Sequence, residues 1–210
     1  MKKRLLSFFL SVVMVVMLLP VTAEAVSVDD SSVFLCQEYD NSCTLAAVTV
    51  MLRRCAILRG DSNWSSITES AVRPYGWTQG VGQNASFTYS GMTVNWIQYF
   101  TGTYIEKRNA LISMLIQHPE GVVVYCRELP KGYMHAVVLT DYTNGIFYCT
   151  DTDSRIVNRR DRRPLVQSSL GGYINTTNQD SILEYINTIW YVSNFSTPIQ
   201  NHGYGFLHRS

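Results

Sequence analysis

The sequence predicts a single α+β domain, with a helical N-terminal part packed on a C-terminal antiparallel sheet. Apolar residues recur at helical spacing from Ser42 to about Arg59, and after Gly121 the pattern changes to short apolar runs typical of strands. The dipeptide Asn144-Gly145 between two of these runs is a strong signal for a tight hairpin. We therefore expect helices first and antiparallel strands after them.

The sequence predicts a leader before this domain. Met1 to Arg4 is basic, an apolar run follows from Leu5 to Val21, and Ala23-Glu24-Ala25 has the small-x-small pattern of a signal-peptide cleavage site. We predict a signal peptide over residues 1–25, cleaved after Ala25. An uncleaved membrane anchor is the alternative, because the apolar run is only marginally long enough to span a bilayer. In either case the protein is expected to be secreted or held at the cell surface.

Cleavage would leave 185 of the 210 residues, which suffices for one domain with a hydrophobic core. We assign residues 26–195 to that domain and residues 196–210 to a polar tail. The net charge would change from +1 to near −1, so no general attraction to nucleic acid or another polyanion is expected. The basic run 159–163 indicates a solvated loop or, alternatively, a contact with an anionic cell-wall polymer or acidic peptide.

The first helix carries the most informative cysteine. Asn41 and Ser42 offer capping side chains, and Gly60 is expected to end the helix. Cys43 therefore falls in the first helical turn. There, unpaired N–H groups and the positive end of the helix dipole favour a thiolate over a thiol.

The middle of the chain is expected to alternate loops and helices. Residues 60–92 are rich in Gly, Ser, Thr, Asn and aromatic side chains, which indicates loops and short helices that could wall a substrate cleft. A helix-like stretch is expected from Gly91 to Phe100. A further helix is expected from Glu106 to His118, where Pro119 stops it.

The later chain predicts strands. Apolar runs at 122–126, 135–142 and 146–149 have strand character, and residues 181–190 are expected to form a short helix or strand that closes the core. The hairpin at Asn144-Gly145 joins the last two of the three runs.

This hairpin should bring an imidazole and a carboxylate together. His135 opens one strand and Asp151 follows its partner strand, and the tight turn makes these far ends neighbours. Asp153 is an alternative partner for His135, because it flanks the same strand end. The spacing favours Asp151.

A thiol, an imidazole, a carboxylate and an amide donor are the parts of a cysteine hydrolase. In this reading Cys43 is the nucleophile, His135 is the general acid and base, and Asp151 orients the imidazole ring. Gln37, six residues before Cys43, would donate to the oxyanion together with the main-chain N–H of Cys43.

The same residues resemble papain-like cysteine peptidases, which have a Gln six residues before the Cys at a helix start and a later His-led strand such as His135-Ala-Val-Val here. The closer resemblance is to the bacteriocin-processing, double-glycine peptidase family. It is carried by the small residues and apolar helix after Cys43, and by Asp151 sixteen residues after His135. The resemblance spans about residues 34–155. It implies a papain-like fold, hydrolysis of a peptide or amide bond in a peptide or protein substrate, and neither metal nor organic cofactor.

Two departures from the family pattern keep other functions open. Thr44 stands where the family usually has Gly, and Thr152 stands where it usually has Pro. The second hypothesis is therefore a catalytically silent exported binding protein that holds a peptide or glycan with the aromatic segment 64–104. A third is an acyl transferase, which uses the same residues and differs only in whether an amine replaces water.

Five cysteines are an odd number for an exported chain, so at least one is expected to lack an internal partner. If Cys43 is that residue, up to two disulfides could form among Cys36, Cys55, Cys126 and Cys149. The alternative is that these four are small buried hydrophobic residues. No cysteine or histidine pair has the spacing of a metal site.

Overall fold

The structure, a computed structural model of the chain, describes residues 26–78, 82–83, 86–129, 133–153, 163–164 and 179–193. The predicted signal peptide 1–25, most of the basic run 159–163 and the polar tail 196–210 lie outside these ranges. Within them, no helix combines the length and the apolar character that crossing a bilayer requires.

The described chain is a mixed α+β structure, as predicted. Its helices are α1 Cys43–Leu58, α2 Glu69–Val72, α3 Tyr104–Gln117 and α4 Gln179–Tyr185. Its strands are β1 Trp77–Thr78, β2 Gly82–Gln83, β3 Phe87–Tyr89, β4 Met92–Gln98, β5 Val122–Leu129, β6 Tyr133–Thr143, β7 Ile146–Thr150, β8 Arg163–Pro164 and β9 Ile186–Ser193. Short 3-10 turns cover Trp64–Ser66 and Arg73–Tyr75.

The predicted first helix is confirmed as α1, and it is buried on nearly every side. Its residues from Thr44 to Ala56 are all buried, which agrees with its almost continuous apolar sequence. Arg53 and Arg54 are buried too, and they donate to main-chain carbonyls of surrounding loops, including Ile67 O and Glu120 O, both at 2.7 Å. These contacts compensate the burial of two cations and hold the loops against the helix.

The end of α1 follows the prediction, whereas its start does not. Gly60 has a φ of 78°, its N–H donates to Ile57 O, and the next N–H along the chain donates to Ala56 O, each at 2.9 Å. This is a Schellman motif, whose left-handed position favours glycine because glycine has no Cβ. At the start, Ser42 occupies the N-cap but makes no side-chain cap; its hydroxyl donates to Tyr39 O at 2.9 Å.

The prediction of a helix over residues 91–100 is wrong, because Met92–Gln98 forms strand β4. Met92 and Val94 are buried and alternate with more exposed neighbours, which is the period of a strand. Ser90 and Gly91 have positive φ values of 48° and 76°, as in the hairpin turns that join short antiparallel strands. β4 also pairs from Thr93 to Gln98 with β9, far along the sequence, and this long-range pairing decided the local structure.

The loops and short helices expected over residues 60–92 are confirmed only in part, because strands β1, β2 and β3 also lie there. The later predicted elements are confirmed. α3 begins at a capping box, in which the Thr103 hydroxyl accepts from the Glu106 N–H and the Glu106 side chain accepts from the Thr103 N–H. The Asn144-Gly145 hairpin joins β6 to β7, with φ values of 54° and 80° at these two residues. The segment predicted as a helix or a strand contains both, since α4 leads directly into β9.

Seven strands form one antiparallel sheet in the order β3-β4-β9-β5-β6-β7-β8. Strand β9 lies between β4 and β5 and pairs with both. It therefore links the strands before α3 to the strands after α3. Alternate residues of the central strands face two separate cores. One core packs on α1 and includes Val123, Ala136, Val138, Trp190 and Val192. The other contains residues of α3 and α4 and includes Val122, Val124, Val137, Leu139 and Ile189.

Candidate active site

Cys43 is the first residue of α1 and is partly exposed. The helical hydrogen-bond ladder starts with the Ala46 N–H, which donates to Ser42 O at 2.8 Å. The main-chain N–H of Cys43 therefore precedes the ladder, as the first N–H groups of any α-helix do. This is the helix-start position that the sequence predicts for the thiol, with the Cys43 N–H outside the helical ladder.

His135 lies on β6, two residues after the strand begins, opposite Cys126 of β5. His135 is only 3% exposed, so protein groups rather than water surround the imidazole. Its position is set by pairing of β6 on both sides, with β5 and with β7.

Asp151 follows β7 directly, and the prediction that it meets His135 is confirmed. Nε2 of His135 lies 2.8 Å from Oδ1 of Asp151, and both side chains are buried. The alternative carboxylate, Asp153, has a different relationship to the pair: its main-chain N–H donates to Oδ1 of Asp151 at 2.9 Å. Asp151 is thus the carboxylate bonded to Nε2 of His135, and the main-chain N–H of Asp153 bonds to Asp151.

The pKa of His135 is raised above its ordinary value. Burial alone would lower this pKa, but hydrogen bonds to Asp151 and Cys43, together with the charges of these two groups, favour the imidazolium more strongly. Because Nε2 bonds to Asp151, Nδ1 is the ring nitrogen that faces the thiol. The structure therefore brings together the thiol, the imidazole and the carboxylate that the sequence singled out.

Gln37 lies in the loop that leads into α1. Its main-chain N–H donates to Thr152 O at 2.7 Å, so this loop is bonded to the chain just after Asp151. Its side-chain amide donates to Tyr39 O at 3.3 Å. Tyr39 O also accepts from the Ser42 N–H at 3.2 Å, which makes this carbonyl the centre of the tight turn before Cys43.

Two residues beside the site were not identified from the sequence. Tyr125 on β5 donates to Sδ of Met134 at 3.0 Å, and its pKa is raised to about 12 by burial and then by the neighbouring charge of Cys43. Glu69 on α2 is fully buried and accepts from the Glu38 N–H at 2.8 Å. Neither has a local sequence signal, because each reaches the site through contacts between distant segments.

An aromatic cluster lies next to the same loop. The Arg73 guanidinium lies 4.9 Å from the ring centroid of Tyr39 and 5.0 Å from that of Trp77. These two rings are 6.3 Å apart. Cation–π contacts of this length hold the guanidinium against the loop before Cys43.

The described residues contain no group of three or more His, Cys, Asp or Glu side chains that could hold a metal ion. The structure forms no disulfide among the cysteines, all of which lie in the described ranges. Cys55 and Cys126 are buried, and burial raises the pKa of both thiols well above the ordinary value. These two behave as small core residues.

Comparison of the sequence with known protein families and with curated proteins, and of the fold with solved structures, finds no match.

Proposed function

We propose that this chain is an exported, papain-like cysteine peptidase or amidase that hydrolyses a peptide or amide bond. The observation that carries the proposal is the arrangement of Cys43, His135 and Asp151: a thiol at a helix start, hydrogen-bonded to an imidazole whose Nε2 lies 2.8 Å from a buried carboxylate. Nucleophile, base and orienting group in this order are the arrangement of a thiol hydrolase.

In the proposed reaction, the Cys43 thiolate attacks the substrate carbonyl carbon and a C–S bond forms. The tetrahedral intermediate collapses when Nδ1–H of the His135 imidazolium protonates the leaving amine, and the C–N bond breaks. The neutral imidazole then takes a proton from water, whose oxygen attacks the thioester. The C–S bond breaks, the carboxylic acid leaves, and the thiolate–imidazolium pair is restored.

Two donors would stabilise the oxyanion of this intermediate. The Cys43 N–H precedes the helical ladder, and Gln37 lies in the loop before Cys43, where its main-chain N–H donates to Thr152 O, directly after Asp151. Donors of this kind typically contribute a factor of about 100 to 1,000 in rate. An amine that replaces water in the second step would give acyl transfer with the same residues.

Alkylation of Cys43 tests the proposal without knowledge of the substrate. Purified protein is treated with limiting iodoacetamide from pH 5 to 8, and the modified cysteine is identified by intact mass and peptide mapping. An imidazolium next to the sulfur favours the thiolate, so Cys43 is expected to react fastest and to remain reactive at pH 5. In a His135→Ala variant this low-pH reactivity is expected to disappear.

Cys55→Ala is a matched control, because it removes a buried thiol of the same helix and is expected to leave the labelling of Cys43 unchanged. Labelling of Cys43 that is slow at low pH and insensitive to His135→Ala would contradict the proposal.

A second candidate function is a catalytically silent binding protein, and one observation favours it. Tyr75 is 44% exposed, and its ring contacts those of Tyr89 and Phe87 with centroids 5.2 Å and 6.0 Å apart. Such an aromatic surface suits a peptide or a glycan. Binding that survives Cys43→Ser, while the wild-type protein releases no product from the bound ligand, would favour this function over hydrolysis.

Export is part of the proposal and rests on the basic and apolar pattern of residues 1–25. Expression of the full chain in a bacterial host should yield exported protein whose first residue is Val26. Retention of the intact N-terminus in the membrane fraction would instead indicate an uncleaved anchor.

A further inference from the structure

Glu69 is a buried acid that the proposed reaction does not use. It is the first residue of α2 and is 0% exposed. Its Oε1 accepts from the Glu38 N–H at 2.8 Å, across 31 residues of sequence. Its Oε2 is also buried and has no hydrogen-bond partner among the described residues. A buried carboxyl group with one satisfied oxygen is costly, so its contact with residue 38 calls for an explanation.

The contact is made to the loop that precedes the nucleophile. The Glu38 N–H lies directly after Gln37, whose own N–H donates to Thr152 O at 2.7 Å. Two consecutive main-chain N–H groups are therefore bound by two different segments, one by the chain after Asp151 and the other by α2. The Ser42 hydroxyl, next to Cys43, lies near enough to the Glu69 carboxyl group to lower its pKa, while its own proton is donated to Tyr39 O.

We infer that Glu69 is a positioning residue of the proposed hydrolase, and that its carboxyl group holds the loop 37–42 so that the Gln37 amide and the Cys43 N–H serve the same oxyanion. This inference rests on the proposed function and adds a residue that acts through the loop rather than on the substrate. Groups that orient residues of a reaction site in this way typically change activity by about 10- to 100-fold.

The charge state of Glu69 bears on how firmly it holds the loop. Burial raises its pKa, the hydrogen bond from the Glu38 N–H and the nearby Ser42 hydroxyl lower it, and the net result is a pKa of about 7. An ionised carboxylate accepts a hydrogen bond more strongly than a neutral acid. The hydrogen bond from the Glu38 N–H to this carboxyl group is therefore stronger above pH 7 than below it, although burial of the charge lowers the stability of the fold as a whole.

Charged residues on the segments next to Glu69 are Glu38 on the loop, Arg53 on α1, which donates to Ile67 O, and Arg73, whose main-chain N–H donates to Glu69 O. The charge of Glu38 raises the pKa of Glu69 further. Arg53 donates to main-chain carbonyls, and the Arg73 guanidinium lies over two aromatic rings. In the described part of the chain neither arginine forms an ion pair with Glu69, so no neighbouring cation offsets its burial.

Two reactions of Cys43 separate a positioning role from a structural one. Acylation by p-nitrophenyl acetate forms a C–S bond, passes through an oxyanion and releases p-nitrophenolate. Alkylation by iodoacetamide displaces iodide directly and needs no oxyanion donor. In Glu69→Ala, acylation of Cys43 is expected to slow at least tenfold at pH 8, whereas its alkylation stays within about twofold of wild type.

A double-mutant cycle tests whether Glu69 acts through the loop. Gln37→Ala combined with Glu69→Ala is expected to acylate no more slowly than the slower single variant, because both remove the same donor arrangement. Glu106→Ala is the matched control, since Glu106 also accepts from a main-chain N–H at a helix start but lies on α3. It should leave acylation unchanged.

Three results would each overturn the inference. Folded Glu69→Ala could acylate at the wild-type rate, it could lose acylation and alkylation equally, or the losses of the two single variants could multiply in the double variant.

Glu69→Gln gives an independent readout, because it keeps a carbonyl acceptor for the Glu38 N–H and removes only the charge. The ratio of wild-type to variant acylation rates is expected to rise through about pH 7 and to be flat for alkylation. A ratio that stays constant from pH 5.5 to 8.5 would overturn the inference even if Glu69→Ala does not fold. Failure of wild-type Cys43 to react preferentially would instead overturn the proposed function, and the inference with it.

Discussion

Nε2 of His135 and Oδ1 of Asp151 lie 2.8 Å apart, sixteen residues from each other along the chain. The distance follows from the hairpin at Asn144-Gly145, which returns the chain alongside β6. This hydrogen bond fixes the plane of the imidazole ring and occupies Nε2, so Nδ1 is the nitrogen directed towards Cys43. A single hairpin thus determines both the orientation of the base and the nitrogen that faces the nucleophile.

Asp151→Ala is expected to lower the pKa of His135, because it removes a hydrogen bond and a negative charge that both raise it. The imidazolium is then lost at a lower pH, and the alkylation rate of Cys43 at pH 7 should fall by about tenfold or more. NMR titration of the His135 ring and iodoacetamide labelling measure the two effects.

Asp153→Ala is the matched control for this prediction, since it keeps the main-chain N–H that donates to Asp151. It should leave the His135 titration close to that of wild type. If the two variants change the His135 titration equally, Asp153 shares the orienting role with Asp151.

Glu69 should make the free energy of unfolding depend on pH. Its folded-state pKa of about 7 lies above the ordinary value of 4.5, so the folded state binds more protons between these values. Stability is therefore greatest below about pH 4.5 for this group and is lost as the pH rises through 7, by roughly 3 kcal/mol in full. Urea unfolding at pH 5 and pH 8 should give a smaller loss for Glu69→Gln than for wild type. Parallel losses in the two proteins would show that Glu69 does not titrate in this range.

Gly121→Ala is expected to destabilise the fold strongly. Gly121 has a φ of 102°, and a Cβ there would lie 2.7 Å from Leu139 O. Main-chain strain and this clash together should cost about 3 kcal/mol or more. Gly60→Ala provides the comparison: its φ is 78°, but a Cβ would meet nothing within 4 Å, so only the conformational cost of about 1 kcal/mol remains. Thermal unfolding of the two variants separates the clash from the strain, and equal losses would contradict this reading.

Lys107→Met should weaken the contact between α3 and the end of α4. The buried Lys107 Nζ donates to the main-chain carbonyls of Leu183, Glu184 and Ile186 at 3.4, 3.0 and 2.6 Å. Methionine fills similar space but leaves these acceptors without the ammonium group, which should cost about 2–4 kcal/mol. Arg59→Met removes a partly exposed ion pair with Asp61 and should cost less than about 1 kcal/mol in the same denaturant titration. A loss of equal size in both variants would argue against the capping role of Lys107.

The sequence by itself determined the elements whose signals are local. The apolar period and Gly60 defined α1, Asn144-Gly145 defined the hairpin, and the hairpin in turn determined that His135 and Asp151 meet. These succeed because a helix, a turn and the ends of two adjacent strands are governed by interactions within a few residues, or by a register that one tight turn imposes.

Tertiary structure alone decided the features that depend on distant segments. Residues 92–98 became a strand because β9 pairs with them, although their local pattern also fits a helix. α1 packs on one face of the sheet, and α3 and α4 pack against residues of the opposite face. Glu69 reached the loop before Cys43 from 31 residues away. Burial and long-range pairing fix these features, and both are properties of the assembled chain that no local stretch of sequence encodes.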